Sequence, residues 1–223
     1  MNIIKPISTD RDDVIPPYIY TPRGLFKNWY MQYYKHNNDE KKGIVAILST
    51  IQPNNTPYSR AIYIYNIDYT FNKTGKISFI TNAITSKCND IISNPNVSLL
   101  FLWKEHQIII SGKAYIADTT ENNEVWNSRT HHQHVSSWNN YNIINNIKPS
   151  NTSILNTTII KLPRVPNWCV VNIIPETFDF SYEGTLLSRI RVHYYLDENN
   201  NWNVKKPRIN VIGCSERTHN LDS

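Results

Sequence analysis

The sequence predicts a mainly β protein, a small barrel of six or so antiparallel strands with a few peripheral helices. Two observations predict the class. Residues 59–114 hold four short runs rich in β-branched and aromatic side chains, separated by polar breaks and surrounding one short helical run. Aromatics make up 12% of the 223 residues, with 14 Tyr against only 6 Gly, a balance that suits strands better than a glycine-rich nucleotide-binding α/β fold. A chain of this length buries a sizeable core as one domain. The expected organisation is an N-terminal arm over 1–24, a single domain over 25–205 and a tail over 206–223.

The elements follow in order. Pro16-Pro17 and the charged residues around them read as an extended arm. Residues 25–34 place Phe26, Trp29, Tyr30 and Tyr33 at helical spacing, which predicts an amphipathic helix whose aromatic stripe packs on the core. A polar loop is expected over 36–42. The nearly unbroken apolar run 43–51 predicts a strand covered on both faces. After a Pro- and Asn-rich turn, 59–67 is the second strand. There Arg60, Ile62 and Ile64 share one face, and an arginine among apolar neighbours needs a partner. That partner is either a carboxylate of the protein or a bound anion. Residues 76–81 form the third strand, and a short helix opens at Thr85 and ends near Asn94-Pro95. Thr85 is a plausible cap. Hydroxyls and Lys87 at a helix N-terminus suit a phosphate, because free N–H groups and the helix dipole favour an anion there.

Strands at 97–103 and 107–115 come next, with Gly112 marking a bulge or a close approach. A helix over 119–129 is capped by Thr120. Residues 130–134 read as a loop, and 138–149 is weakly helical. The pattern returns to strands at 169–174, 176–182, 188–195 and 202–205, with Pro175 separating the first two.

Composition narrows the function. The net charge of +5 is mild and dispersed, with no stripe of Lys or Arg interleaved with aromatics, so nucleic acid is not an expected partner. No apolar run is long enough for a membrane span, and the first residues lack a secretory pattern. Cys88, Cys169 and Cys214 are odd in number and carry no CxxC spacing, which points to a reducing, cytoplasmic setting without a zinc site. His131, His132 and His134 could ligate a metal, but no Cys, Asp or Glu lies nearby in sequence; the expectation is a solvent-exposed loop and no metal.

Taken together, the run ISFITNAITSKCNDIISNPNVSLLFLW…QIIISGKA resembles the F-Y-T-N…S-R-K…N-P…A-L-L-F-W…R-Q-V-R-V-x-G segment of the pyridoxamine 5'-phosphate oxidase family of FMN-binding split barrels. The likeness runs over roughly residues 42–205 in matching order and spacing. It implies a homodimer with FMN at the subunit interface, a small-molecule substrate, and hydride transfer to FMN N5. It further implies that Arg60, with Ala61 and Ile62 beside it, and Lys87, with Thr85 and Ser86, hold the FMN phosphate. Ile80 and Thr81 would face the flavin, Gln107 would contact its ring, and Arg191, in an R-V-H-Y run similar to the family's R-F-x-Y, would be a further flavin contact. Arg129 and Arg189 are expected to bind an anionic part of a substrate.

The departures from the family's pattern are specific. A family lysine is Tyr65, placed on the substrate side. The arginine of S-R-K is Ser86. The family's Gln-Ser pair that reaches FMN from the partner subunit is Asn142-Ile143, and the Trp in the segment before the late Arg is Ser181. The R-x-H that grips pyridoxal phosphate falls on Leu187-Ser188-Arg189. The substrate-side Tyr and Ser are Val125 and Gln133, with Arg129 retained between them. At about 1.5–3 kcal/mol per charged hydrogen bond, these losses weaken a dianionic substrate by several kcal/mol. The resemblance therefore implies an FMN-dependent oxidoreductase with another substrate. The alternatives are an authentic pyridoxamine 5'-phosphate oxidase with a rearranged pocket, or a non-catalytic flavin- or haem-binding protein.

Overall fold

The computed structural model describes residues 21–37, 43–68, 75–147, 162–183 and 188–211. The chain runs α1 (Pro22–Asn37), β1 (Ile44–Ile51), β2 (Pro57–Ile67), β3 (Ile77–Asn82), α2 (Ser86–Ser93), β4 (Asn96–Trp103), β5 (His106–Ile116), α3 (Thr119–Ser128), α4 (His131–Ile144), β6 (Trp168–Glu183), β7 (Ser188–Leu196) and β8 (Trp202–Val211). Strand order is β3-β2-β1-β4-β5-β6-β7-β8, all neighbours being antiparallel. A further antiparallel pairing of β3 with β6, from Ile77↔Ile173 to Asn82↔Trp168, closes the first six strands into a barrel. The mainly β barrel expected from the sequence is the fold.

Alternation fills the barrel. Leu48, Phe79, Leu99, Phe101, Ile108, Ile110, Ile173, Phe178 and Phe180 are each at most 1% exposed. Helix α1 begins at Pro22, earlier than expected, because proline suits the first helical position. It continues to Asn37, into the stretch expected as loop. Its Phe26 meets the edges of Phe101 and Trp103, and Trp29 meets that of Phe180. The aromatic stripe is core packing.

β6 corrects one expectation. Pro175 does not divide two strands, because it sits at a register shift opposite Gly112, where a missing N–H interrupts the ladder least. β6 thus spans both strands, closing the barrel with its first half and carrying β7 and β8 on its second. β8 likewise runs past the expected 202–205 to Val211.

The helices on the outer face also differ from expectation. Asp118, not Thr120, caps α3 by accepting the Glu121 N–H. Residues 131–134 form the first turn of α4 rather than a loop. The Thr130 side chain accepts from Gln133 N–H while the Gln133 side chain accepts from Thr130 N–H, a capping box. His134 is 5% exposed, stacked on Trp126 at 4.3 Å with Nε2 at 2.7 Å from the Trp126 carbonyl. This corrects its reading as exposed. Thr130→Ala is expected to lower stability by about 1 kcal/mol in urea unfolding.

Candidate functional site

The residues singled out in the sequence fall into three places. The first lies at the end of the barrel where β3 turns into α2. Arg60 donates to Asp90 Oδ2 at 3.0 Å and to Thr50 Oγ1 at 2.5 Å, and its guanidinium lies 4.7 Å from the Tyr58 ring centroid. Thr50 in turn donates to the same Asp90 oxygen at 2.6 Å. Asp90, on the buried face of α2, is 1% exposed. The ion pair left open by the sequence is therefore present. Ala61 faces outward, whereas the Ile62 side chain points into the core at 7% exposure and leaves only its backbone for a ligand.

Beside that pair is the first turn of α2. Thr85 occupies the cap position, yet its hydroxyl makes no capping bond and donates instead to Asn82 O at 2.7 Å. Ser86 is exposed. Lys87 Nζ donates to Thr81 Oγ1 at 3.2 Å, and no carboxylate within salt-bridge distance of it is found among the described residues. A half-buried ammonium held by one neutral hydroxyl at a helix N-terminus has the charge and the donors that suit an anion. Ile80 lies on the outer face next to it, opposite Val170.

The second place is a row across β5, β6 and β7, in which Gln107 pairs with Ser181 and Ser181 with Arg191. Arg191 Nε donates to Asp179 at 3.1 Å, and His193 Nδ1 meets the same carboxylate oxygen at 3.1 Å. Gln107 is near the start of β5. The α2 end of the barrel meets that strand at Ala114, whose N–H bonds Pro95 O, roughly 20 Å further along. The structure does not bring this row together with Lys87 within one chain. Arg189 falls on β7 opposite Glu183, and its side chain lies outside the described residues, as does Leu187.

The third place is a cleft of about 520 Å³ between the outer faces of β2 and β3 and the helix α3. Tyr65, Val125 and Val170 give it an apolar side, while Asp118, Glu121 and Glu124 give it an acidic one. A polar chain runs along its floor: Ser78 donates to Asn172, Asn172 donates to Glu121 at 3.0 Å, and Lys76 forms an ion pair with Glu121. Burial pulls the Lys76 ammonium down, but its hydrogen bond to Glu121 and neighbouring charges outweigh this and raise it above the ordinary lysine value. Sequence reading missed this network. Its signal was the pair of polar residues, Ser78 and Asn172, inside otherwise apolar strands.

Arg129 stands next to the cleft, at the C-terminus of α3. Its guanidinium lies 5.5 Å from the Trp126 ring and 5.4 Å from the Trp168 ring, and NH1 donates to Ser137 at 2.8 Å. Its Nε is buried without a partner, and among the described residues no carboxylate pairs with it. Burial lowers its proton affinity below the usual arginine value. A half-buried cation in this state favours an anion from outside.

The family model for pyridoxamine 5'-phosphate oxidase matches residues 40–162, which carry β1 to β5, α2, α3 and α4. The chain belongs to the pyridoxamine 5'-phosphate oxidase family. Among curated proteins of this family it is similar to the pyridoxine/pyridoxamine 5'-phosphate oxidase of Pelagibacter ubique, with 26% identity over 192 residues, 81% of this chain and 88% of that one. The Escherichia fergusonii enzyme of the same name is 31% identical over 119 residues, 52% of this chain and 51% of that one. Two solved structures share the family fold. PhzG from Burkholderia lata, solved with tetrahydrophenazine-1-carboxylic acid, has a TM-score of 0.63 at 21% identity, covering 90% of this chain and 96% of that one. An FMN-binding protein from Nostoc punctiforme related to pyridoxamine 5'-phosphate oxidase has a TM-score of 0.60 at 15% identity, covering 83% and 96%. Among the described residues, no group of three or more His, Cys, Asp or Glu is placed to hold a metal, and no helix is long and apolar enough to cross a membrane.

Proposed function

We propose that the protein is an FMN-dependent oxidoreductase acting on a small molecule other than pyridoxamine 5'-phosphate. The observation that carries this reading is Lys87, a half-buried cation at the first turn of α2 with a hydroxyl and, among the described residues, no carboxylate for a partner. It fits the phosphate of FMN, with Ser86, Thr85 and Arg60 alongside and Ile80 and Thr81 toward the flavin. When bound, FMN supplies the redox chemistry, taking a hydride at N5 and passing the electrons to oxygen or another acceptor. The chain's own residues bind and orient.

Gln107 and Arg191 lie at a distance from Lys87, which supports a site completed across a homodimer interface. The outer face of β2, β1 and β4 exposes Tyr63 at 72%, Val45 at 46%, Ile47 at 37% and Leu102 at 66%, an apolar surface that a second copy would cover. Sedimentation equilibrium tests this, with a dimer as the expected species.

The cleft supports the change of substrate. A phosphate dianion entering it would meet Asp118 and Glu124, while Lys76 is already committed to Glu121. Tyr65 and Val125 offer no charged donor. Arg129 favours the second reading, an authentic pyridoxamine 5'-phosphate oxidase, because it is a half-buried cation that no carboxylate among the described residues pairs with. FMN titration followed by quenching of flavin fluorescence tests the cofactor. Lys87→Ala is expected to weaken FMN about 10- to 100-fold, the equivalent of about 1.5–3 kcal/mol for a charged hydrogen bond, and to leave phosphate-free riboflavin unaffected. Absence of flavin binding would remove the whole reading. Anaerobic addition of pyridoxamine 5'-phosphate then separates the two readings: bleached flavin bands would establish the second, and unchanged bands support the first.

A further inference from the structure

Two of the cysteines, far apart in sequence, meet behind the α2 turn. Cys88 is on α2 and 0% exposed; Cys169 is the second residue of β6 and 3% exposed. Both belong to the same buried cluster, and their thiols interact electrostatically as neighbours. Cys169 pairs across the barrel seam with Thr81, the residue that receives Lys87. Cys88 Sγ donates to Asn82 O at 3.5 Å and accepts from Thr85 Oγ1 at 3.6 Å. Both residues thus adjoin the turn formed by residues 82–87, and neither lines the cleft.

We infer that Cys88 and Cys169 are a redox pair, closing to a disulfide when the protein meets a hydroperoxide and reopening when a thiol reduces it. Cys88 is the attacking sulfur. Its interaction with Cys169 brings the thiol down to about 7 against the effect of burial, with the Thr85 hydroxyl and the charge of Lys87 at the start of α2 acting in the same direction. The same pairing, together with burial, pushes the Cys169 thiol up, so it stays protonated as the resolving partner.

The Cys88 thiolate attacks one peroxide oxygen, the O–O bond breaks, and hydroxide leaves, giving a sulfenic acid. Cys169 sulfur then attacks the Cys88 sulfur, the S–O bond breaks, and the thiol proton leaves with the hydroxyl as water. Two thiols and one hydrogen peroxide become one disulfide and two waters. The peroxide is the oxidant and takes both electrons. Burial keeps bulky reagents away from the pair and leaves Cys169 as the thiol in contact with an oxidised Cys88. Closing neighbouring sulfurs to the ~2.0 Å of a disulfide requires the short helix α2 to shift toward β6. The inference holds whether or not this turn binds a phosphate.

The test uses the full chain, reduced, desalted and exposed to hydrogen peroxide, then unfolded in N-ethylmaleimide. The expected result is one maleimide per chain in place of three, a mass loss of two hydrogens before labelling, and a Cys88–Cys169 cross-linked peptide that dithiothreitol abolishes. Three maleimides after peroxide, or a cross-link that uses Cys214, would overturn the inference. Cys169→Ser provides a second measurement. Its Cys88 is expected to be trapped as a sulfenic acid by dimedone, and absence of that adduct would contradict the assignment of Cys88 as the attacking sulfur. Should the variant fold poorly, the peptide map of the unsubstituted chain decides alone.

Discussion

Replacing Asp90 by alanine is expected to destabilise the protein by about 3–5 kcal/mol, the range for breaking a buried ion pair by removing one partner. The carboxylate is 1% exposed and accepts from both Thr50 and Arg60, so the substitution leaves a guanidinium with 13% side-chain exposure and no counter-charge among the described residues. The hydroxyl of Thr50 loses its acceptor as well. Urea unfolding monitored by tryptophan fluorescence reads the loss, and a drop below about 1 kcal/mol would mean that water replaces the carboxylate freely. A double change, Arg60→Met with Asp90→Leu, separates structure from binding. Replacing both charges with apolar groups of similar volume is often neutral. Most stability should return, while FMN affinity stays at least about tenfold down if Arg60 also reaches the phosphate.

The second large effect is expected at Gly112. A Cβ there would lie 2.0 Å from the carbonyl oxygen of Ile174 and 2.9 Å from its carbon. Those atoms are backbone of β6 and cannot rotate aside, so Gly112→Ala has to spread β5 from β6 at the bulge. The expected cost is about 3 kcal/mol or more, at or beyond the top of the usual range for overpacking. The thermal midpoint should fall accordingly. A variant with an unchanged midpoint would show that the two strands tolerate separation at this point.

The strands were legible because alternation and β-branching are local properties, and so was the need of Arg60 for a partner. The identity of that partner was not, since Asp90 reaches it only once α2 folds back over β1 and β2. Gly112 announced a close approach for the same local reason that Pro175 misled: each marks an interruption of the ladder, and only the register shows that they share one bulge. The start of α4 was readable in Thr130-His131-His132-Gln133, which has the Thr-x-x-Gln form of a capping box, but the three histidines drew attention to metal chemistry instead. In the Ser78–Asn172–Glu121–Lys76 chain the sequence shows two polar residues in apolar strands but not their connection, because its members lie far apart along the chain. The same holds for Arg129, where the sequence shows the charge but not the two indoles that surround it.

The seam between β3 and β6 has a consequence for how the chain reaches this state. Most pairings of the sheet join neighbours in sequence, as in β1 with β2, β4 with β5 and β7 with β8, and can zip up locally. Closing Asn82 against Trp168 is different, since α2, β4, β5, α3 and α4 all lie between them. The entropy of closing so long a loop places this step late and makes it slow. Until it happens, β3 and β6 both present bare edges, open to pairing with other chains. Fresh protein is therefore most prone to aggregate in the interval before the ring shuts.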